Sequence, residues 1–85
     1  MTGIKEIVVT KKFERNLKSL KDKSFLGRVV TQIEKIKNDP DIGKPLRYVL
    51  RGEKTIHVGP YRLIYAVEKD KLILLRFMHR KEVYR

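Results

Sequence analysis

Apolar and polar residues alternate with two different periods along this chain, and each period predicts a different element. Residues 4–9 are β-branched and apolar apart from one charged pair, a pattern typical of a strand. Phe13, Leu17 and Leu20 then recur at the spacing of one helical face. Thr10 stands just before this run, where its side chain can cap the helix. The beginning of the chain therefore predicts a strand followed by an amphipathic helix.

A second amphipathic helix is predicted from Phe25 to Ile36, because apolar residues recur there every three or four positions. Asn38-Asp39-Pro40 should end it, since proline disfavours helical geometry in the residue before it. The polar break at residues 21–24 is short, which favours two antiparallel helices. Residues 40–52 hold two prolines and two glycines and are expected to be mostly irregular, with a short extended piece at 47–50.

The last third of the chain has strand-like alternation interrupted by two turn signals. Gly59-Pro60 and Lys69-Asp70 separate strands predicted at residues 54–58, 61–68 and 71–78. Two-residue connections imply antiparallel hairpins. The chain is therefore predicted to be a single domain, residues 1–85, of the α+β class. Its order is β-α-α-β-β-β, with two antiparallel helices packed on one face of a small, mostly antiparallel sheet.

Two-residue turns also predict which side of the sheet each side chain takes, because they fix the register. The face covered by the helices is expected to hold Ile56, Val58, Tyr61, Leu63, Tyr65, Val67, Leu72, Leu74 and Met78. The opposite, open face is expected to hold Thr55, His57, Arg62, Ile64, Ala66, Ile73, Leu75, Phe77 and His79. Arg80 has the parity of the covered face and reaches the open face only if the strand ends before it. The apolar end of the open face is expected to be uncovered, which suggests a partner.

Composition narrows the choice of partner. The 85 residues, 41% of them hydrophobic, suit one small core, and the excess of 21 Lys and Arg over 10 Asp and Glu gives a net charge of +11. Such a charge calls for nucleic acid, an acidic protein or an anionic membrane. The absence of cysteine excludes disulfides, thiolate zinc sites and a cysteine nucleophile. No apolar segment is long enough to span a bilayer, and the N-terminus lacks the apolar stretch of a signal peptide. A cytoplasmic protein with no membrane partner is therefore expected.

The C-terminal third gathers side chains suited to cutting RNA through its own 2′-hydroxyl. That reaction needs a base for the 2′-hydroxyl, cations for the phosphorane-like transition state and an acid for the 5′-oxygen. Arginine suits the second role because its planar fork matches two phosphate oxygens. Histidine suits the acid and base roles. The two histidines, His57 and His79, lie far apart in sequence without a carboxylate cluster, so neither a metal site nor a cofactor is predicted.

Each of these residues also has an ordinary structural interpretation. Arg62 fits a solvated or ion-paired strand arginine, and His57 fits a residue of an edge strand. Tyr61 and Tyr65 have the parity of the covered face, which favours packing. Taken alone, the residues support a basic α+β domain that binds RNA.

Two segments resemble the signature of the RelE/ParE superfamily of bacterial and archaeal type II toxins. Leu50-Arg51-Gly52, followed by Val58-Gly59-Pro60-Tyr61-Arg62-Leu63-Ile64-Tyr65, is similar to the pattern L-x-G … v-G-x-Y-R-v-i-Y. The terminal segment His79-Arg80-Lys81-Glu82-Val83-Tyr84 is similar to H-R-x-x-v-Y. The predicted order of elements is also that of the superfamily. The resemblance covers essentially the whole chain, and the RelE branch fits best.

The resemblance implies a ribosome-dependent mRNA endoribonuclease, an mRNA interferase that inhibits translation without a metal. Arg62 and Arg80 would stabilise the transition state, and Tyr84 would stack on the substrate or assist proton transfer. The family pattern has two basic residues on the preceding strand, where this chain has Thr55 and His57. His57 is therefore expected to act as an acid or a base.

Further basic residues of these segments are expected to bind the RNA substrate: Arg51, Lys54, His79 and Lys81. Lys54 would partly compensate for Thr55, although its side chain starts on the other face. The division of the acid and base roles among His57, His79 and Tyr84 stays open.

The resemblance also implies partners, namely a RelB-like antitoxin that wraps the toxin, the ribosome and mRNA. An acidic, partly disordered antitoxin would suit the net charge of +11 and the uncovered apolar end of the sheet. Two other functions stay open. A ParE-like toxin inhibits DNA gyrase without nuclease activity, whereas a non-catalytic RNA-binding module associates with RNA in a salt-sensitive way and does not cleave it.

Overall fold

The computed structural model describes residues 3–45 and 52–83, and this part contains the predicted elements with two short additions. In chain order the elements are β1 (Glu6–Val9), α1 (Lys11–Lys18), α2 (Phe25–Asn38), β2 (Lys44–Pro45), β3 (Lys54–Val58), β4 (Tyr61–Glu68), β5 (Lys71–His79) and α3 (Arg80–Val83). The α+β class and the β-α-α-β-β-β order are confirmed. The additions are β2, which has two residues, and α3, a single turn. The extended piece expected at 47–50 lies outside the described residues.

The strands form one sheet in the order β1-β5-β4-β3-β2. β1 runs parallel to β5, and the other neighbours are antiparallel, so the sheet is mostly antiparallel as predicted. Gly59 and Lys69 open the two hairpin turns with positive φ angles of 59° and 58°, the backbone that two-residue turns require. No helix among the described residues is both long and apolar enough to cross a bilayer.

The core lies between the helices and one face of the sheet. Phe13 and Ile36, at 1% and 0% exposed, bring the two helices onto the sheet. The buried core side chains are Phe13, Leu20, Val29, Ile36, Val58, Leu63, Tyr65, Leu72, Leu74 and Phe77. The predicted N-cap is confirmed, since the hydroxyl of Thr10 accepts a hydrogen bond from the N–H of Phe13 at 3.2 Å. Burial on this scale makes the hydrophobic effect the main source of stability.

A β-bulge in β5 changes the predicted register of its second half. Ile64 faces Arg76 but its neighbour Tyr65 faces Leu74, so that Leu75 has no partner across the strand. An extra residue inverts the side-chain alternation of everything that follows it in the strand. The prediction was wrong for three residues because it assumed an unbroken ladder: Phe77 and His79 lie on the covered face, and Met78 lies on the open face.

Side chains of α1 take the place of a strand beside this bulge. β1 ends opposite Leu74, so the outer edge of β5 beyond that point lacks a described strand neighbour. The Thr10 hydroxyl donates to the carbonyls of Leu74 and Leu75 at 2.8 and 3.2 Å. The amide oxygen of Asn16 accepts from the N–H of Phe77 at 3.0 Å. The bulge is therefore held by a cap residue and an asparagine, which give partners to the carbonyls of Leu74 and Leu75 and to the N–H of Phe77.

The open face is better covered at its centre than the sequence predicts. Ile64 is fully buried and its cross-strand neighbour Thr55 is only 6% exposed. On the other side Arg76 pairs with Glu53 at 2.8 Å, with 29% and 19% of the two side chains exposed. The expectation of an uncovered apolar end is therefore wrong at Ile64, because Arg76 and Glu53 form a partly desolvated ion pair on that face.

Tyr65 ties the core to the segment that precedes β2. Its phenolic oxygen donates to the carbonyl of Pro40 at 2.9 Å and accepts from the N–H of Gly43 at 3.0 Å. Burial raises the pKa of Tyr65, so the hydroxyl keeps its proton for Pro40. Only glycine fits at position 43, since a Cβ there would lie 2.6 Å from the phenolic oxygen.

Tyr65→Phe is expected to lower the free energy of unfolding by about 1–3 kcal/mol, because it leaves the Gly43 N–H and the Pro40 carbonyl without their buried partner. Urea unfolding measures the change. Tyr61→Phe is the matched control, since the phenolic oxygen of Tyr61 forms no hydrogen bond among the described residues. Equal losses in the two variants would contradict the assigned role of the Tyr65 hydroxyl.

Candidate active site

His57 and Arg62 lie side by side on the open face. They are direct cross-strand partners of β3 and β4, and Met78 of β5 continues the row. Side chains at directly opposed positions stand roughly 4.5–5.5 Å apart at Cβ, close enough to act on one phosphate. The sequence prediction that His57 and Arg62 share this face is confirmed. It holds because the turn at Gly59-Pro60 has the expected two residues.

Arg62 keeps its guanidinium available for an anion. It is half-buried, and its Nη1 donates to the carbonyl of Tyr61 at 3.3 Å. Its Nε is buried without a hydrogen-bond partner among the described residues. No carboxylate of residues 3–45 and 52–83 pairs with it. A partly desolvated arginine that lacks a counter-ion favours a bound phosphate.

His57 is biased towards its neutral form. Partial desolvation, and then the positive charges of Arg62 and Lys44, lower the pKa of His57 from its ordinary value of 6.5. At neutral pH the imidazole therefore has a lone pair with which to accept a proton. This arrangement suits a general base more than a general acid.

Arg80 starts from the same side of the sheet as Arg62. The strand ends at His79, so the condition set by the sequence is met. The parity expected for Arg80 was wrong, because the bulge turns Met78, and with it the phase of Arg80, to the open face. Its N–H donates to the carbonyl of Pro60 at 2.8 Å, which holds the start of α3 against the β3–β4 turn. Lys81 follows on α3 and is exposed.

His79 belongs to an aromatic cluster on the covered side. Its ring meets that of Tyr61 edge-on at 5.6 Å, and Tyr61 stacks on Phe77 at 5.1 Å. Its Nδ1 accepts the N–H of Lys81 at 3.2 Å, which supports the first turn of α3. These contacts place His79 apart from the pair formed by His57 and Arg62.

The other predicted substrate-binding residues are dispersed. Lys54 has the parity of the covered face, as the sequence predicted, and its Nζ lies 3.7 Å from a carboxylate oxygen of Asp41. It therefore adds no charge to the row of Arg62. Arg51 and Tyr84 lie outside the described residues, and their roles stay predictions.

Lys44 is the cation that the sequence prediction missed. It pairs with Thr55 across β2 and β3, which puts it on the edge of the open face beside His57. No carboxylate pairs with it in the described part of the chain. Its segment, Gly43-Lys44-Pro45, shows neither strand-like nor helical periodicity, so only the pairing with β3 reveals it. The described residues also contain no group of three or more histidine, aspartate or glutamate side chains that could hold a metal ion.

Comparison with known proteins assigns the fold and the motifs to one family. The family model of the ParE toxin of type II toxin–antitoxin systems matches residues 7–84. Toxin RelG of Mycobacterium tuberculosis (strain ATCC 25618 / H37Rv) is 39% identical over 46 residues, which cover 52% of this chain and 53% of that protein. The matched part thus spans about half the length of that relative.

Two solved structures agree over nearly the whole chain. The RelBE2 toxin–antitoxin complex from Mycobacterium tuberculosis contains a chain with a TM-score of 0.75 and 28% identity, covering 94% of this chain and 100% of its own. The RelB–RelE antitoxin–toxin complex from Methanococcus jannaschii gives a TM-score of 0.71 and 26% identity, covering 91% of this chain and 94% of its own. Together with the family match, these likenesses mean that the chain belongs to the ParE toxin family, in the RelE branch of the RelE/ParE superfamily, and is a toxin of a type II toxin–antitoxin system.

Proposed function

We propose that this toxin is a ribosome-dependent endoribonuclease that cuts mRNA and thereby inhibits translation. The observation that carries the proposal is the adjacent pair on the open face, His57 directly across the strand from Arg62. The lowered pKa of His57 favours the neutral imidazole that a base requires. A base next to a cation without a carboxylate partner is what attack by a 2′-hydroxyl requires. The net charge of +11 supports a polyanionic substrate.

The reaction divides among few groups. His57 takes the proton of the 2′-hydroxyl, whose oxygen forms a bond to phosphorus as the bond to the 5′-oxygen breaks. Arg62, with Arg80 beside the turn, neutralises the charge on the non-bridging oxygens. The leaving 5′-oxygen takes a proton from Tyr84, the remaining candidate, since His79 lies on the covered side. The products are a 2′,3′-cyclic phosphate and a 5′-hydroxyl, and no metal takes part in these steps.

We also propose an antitoxin partner of the RelB type for this chain. The two solved relatives are toxin–antitoxin complexes, which supports the assignment. An acidic antitoxin would be attracted by the net charge of +11 and could screen the cations of the open face. Binding there would block Arg62 and so neutralise the toxin.

A second candidate function is inhibition of DNA gyrase through protein contacts. It is favoured by the family model, which is that of the ParE toxin. It gives no role to the pair of His57 and Arg62, in which the arginine has no carboxylate partner within residues 3–45 and 52–83, and this is why the nuclease is the leading proposal.

The deciding experiment adds the purified toxin to ribosomes programmed with a defined mRNA and maps new 5′ ends by primer extension. The proposal expects discrete cuts with 5′-hydroxyl ends on translated mRNA. A gyrase supercoiling assay runs in parallel with the same preparation. Intact mRNA together with inhibited supercoiling would replace the proposal with the second candidate.

The pH dependence of cleavage reports on His57. Its pKa is lowered in the folded toxin, so the neutral form, and with it the activity, should persist below pH 6.5 and fall only as the pH passes through the lowered value. Single-turnover cleavage rates between pH 5 and about 8 measure this acid limb. His57→Gln should remove the limb and leave a slow, flat profile. A limb that survives in His57→Gln would assign the base to another group.

A further inference from the structure

A notch opens at the edge of the sheet where β2 begins. Because β2 pairs only Lys44 and Pro45 with β3, the chain joins the sheet only after Gly43, where Tyr65 holds it. The edge of β3 beyond Thr55 therefore has no described strand neighbour. The β3 notch has a volume of about 310 Å³ and is lined by Ile42, Lys44, Thr55, Ile56 and His57. This volume is at the lower end of the roughly 300–1,000 Å³ of small-molecule sites and suits a single small group.

The lining of the β3 notch combines three kinds of contact. Ile42 supplies an apolar wall and is 42% exposed, a large apolar side chain left partly in water. Thr55 is 6% exposed, and its Oγ1 is buried without a hydrogen-bond partner among the described residues. Lys44 adds a positive charge that acts on His57. A buried polar group without a partner is costly unless a ligand satisfies it.

These contacts match the parts of one nucleotide. A base has an apolar face for Ile42 and polar edges for the hydroxyl of Thr55, and the adjoining phosphate suits the ammonium of Lys44. The position matches as well, because His57 belongs both to the β3 notch and to the pair with Arg62. A nucleotide in the notch would thus be next to the phosphate that is cut.

We propose that the β3 notch is a subsite for one nucleotide of the RNA substrate, in which Lys44 binds a phosphate, Thr55 hydrogen-bonds the base and Ile42 packs against its face. The subsite selects the nucleotide beside the cut. This inference rests on the proposed nuclease function and adds the residues that choose where the RNA is cleaved. Lys44 also provides, from the neighbouring strand, a cation next to Thr55, where the family pattern has a basic residue.

Two variants test the subsite on programmed ribosomes. Lys44→Gln should reduce the single-turnover cleavage rate by about tenfold to a hundredfold, the effect of losing one charge-assisted phosphate contact. Lys35→Gln is the matched control, since it removes the same charge from an exposed position on α2 and should cleave at the wild-type rate. Thr55→Val keeps the shape of the buried side chain and removes its hydroxyl. It should broaden the nucleotide preference at the cut, a readout that loss of stability alone would not change.

The outcomes separate this inference from the proposed function. If the wild type cleaves and both variants keep its rate and its nucleotide preference, the subsite is overturned and the nuclease function stands. Normal cleavage by Lys44→Gln combined with escape from the antitoxin would assign the notch to the antitoxin and would also overturn it. If the wild type does not cleave, the subsite is tested by binding instead. The affinity of the wild type and of Lys44→Gln for a short single-stranded RNA is measured at several salt concentrations. A salt slope that falls by about 1 in Lys44→Gln supports the subsite, and an unchanged slope rejects it.

Discussion

Arg62→Ala is expected to slow cleavage of ribosome-bound mRNA by about a hundredfold to a thousandfold, the usual effect of removing one donor that stabilises a transition state. The guanidinium of Arg62 is directly opposite His57 and is without a carboxylate partner in the described residues. Its loss therefore removes charge stabilisation at the place where the proposed reaction forms its phosphorane. Single-turnover rates on a defined mRNA, with 5′ ends mapped, measure the effect.

Arg62→Lys distinguishes charge from geometry. Lysine keeps the positive charge but lacks the planar fork that binds two phosphate oxygens, so it should recover only part of the lost rate. Arg15→Ala, on the exposed surface of α1, serves as the control for the loss of one arginine. Thermal unfolding checks that each variant is folded. Full growth arrest and full cleavage by Arg62→Ala would end the assignment of Arg62 to the reaction.

Phe77→Ala should have the largest effect on stability. Because Leu75 is the extra residue of the bulge, Phe77 faces Leu63 on the side of the sheet that the helices cover. The ring of Phe77 is 2% exposed and contacts those of Phe13 and Tyr61 at 6.4 and 5.1 Å, so its removal empties part of the core. Losing such an aromatic side chain costs about 3–5 kcal/mol. That loss is comparable with the whole stability of a marginal small domain, about 5 kcal/mol at the low end.

Urea unfolding compares Phe77→Ala with Leu75→Ala. Leu75 is partly exposed and has no partner across the strand, so its truncation leaves Phe77 in the core and the midpoint should fall much less. Equal midpoints in the two variants would contradict the role of the Phe77 ring as a main support of the core.

The fold was largely predictable because local signals agreed with one another. Helical spacing gave α1 and α2, and the two turn signals gave the hairpins of β3, β4 and β5. The parallel pairing of β1 with β5 and the two-residue β2 depend on tertiary contacts between distant segments, which no local pattern records. The bulge was missed for a definite reason. Residues 72–75 are all apolar, so they show no alternation of apolar and polar positions. The sequence therefore does not indicate which face each side chain takes at the point where the register shifts.

The candidate site was predictable only where the register was simple. His57 and Arg62 flank a two-residue turn, and their pairing follows from it. His79 was assigned to the wrong face because it lies beyond the bulge. Lys44 was missed because it reaches the site through a strand of two residues, whose position is set by the hydrogen bonds of Tyr65 rather than by its own sequence.

The hydrogen bonds of Tyr65 have a consequence for genetic screens of this toxin. Tyr65 is a fully buried residue of the helix-covered core, yet its hydroxyl holds the segment that leads into Lys44. Substitutions at Tyr65 or Gly43 would therefore be recovered among non-toxic survivors although neither residue belongs to the proposed RNA site. Among such survivors, alleles that still cut mRNA but at new positions would mark a misplaced β2, whereas alleles that lose the protein altogether would mark a broken core.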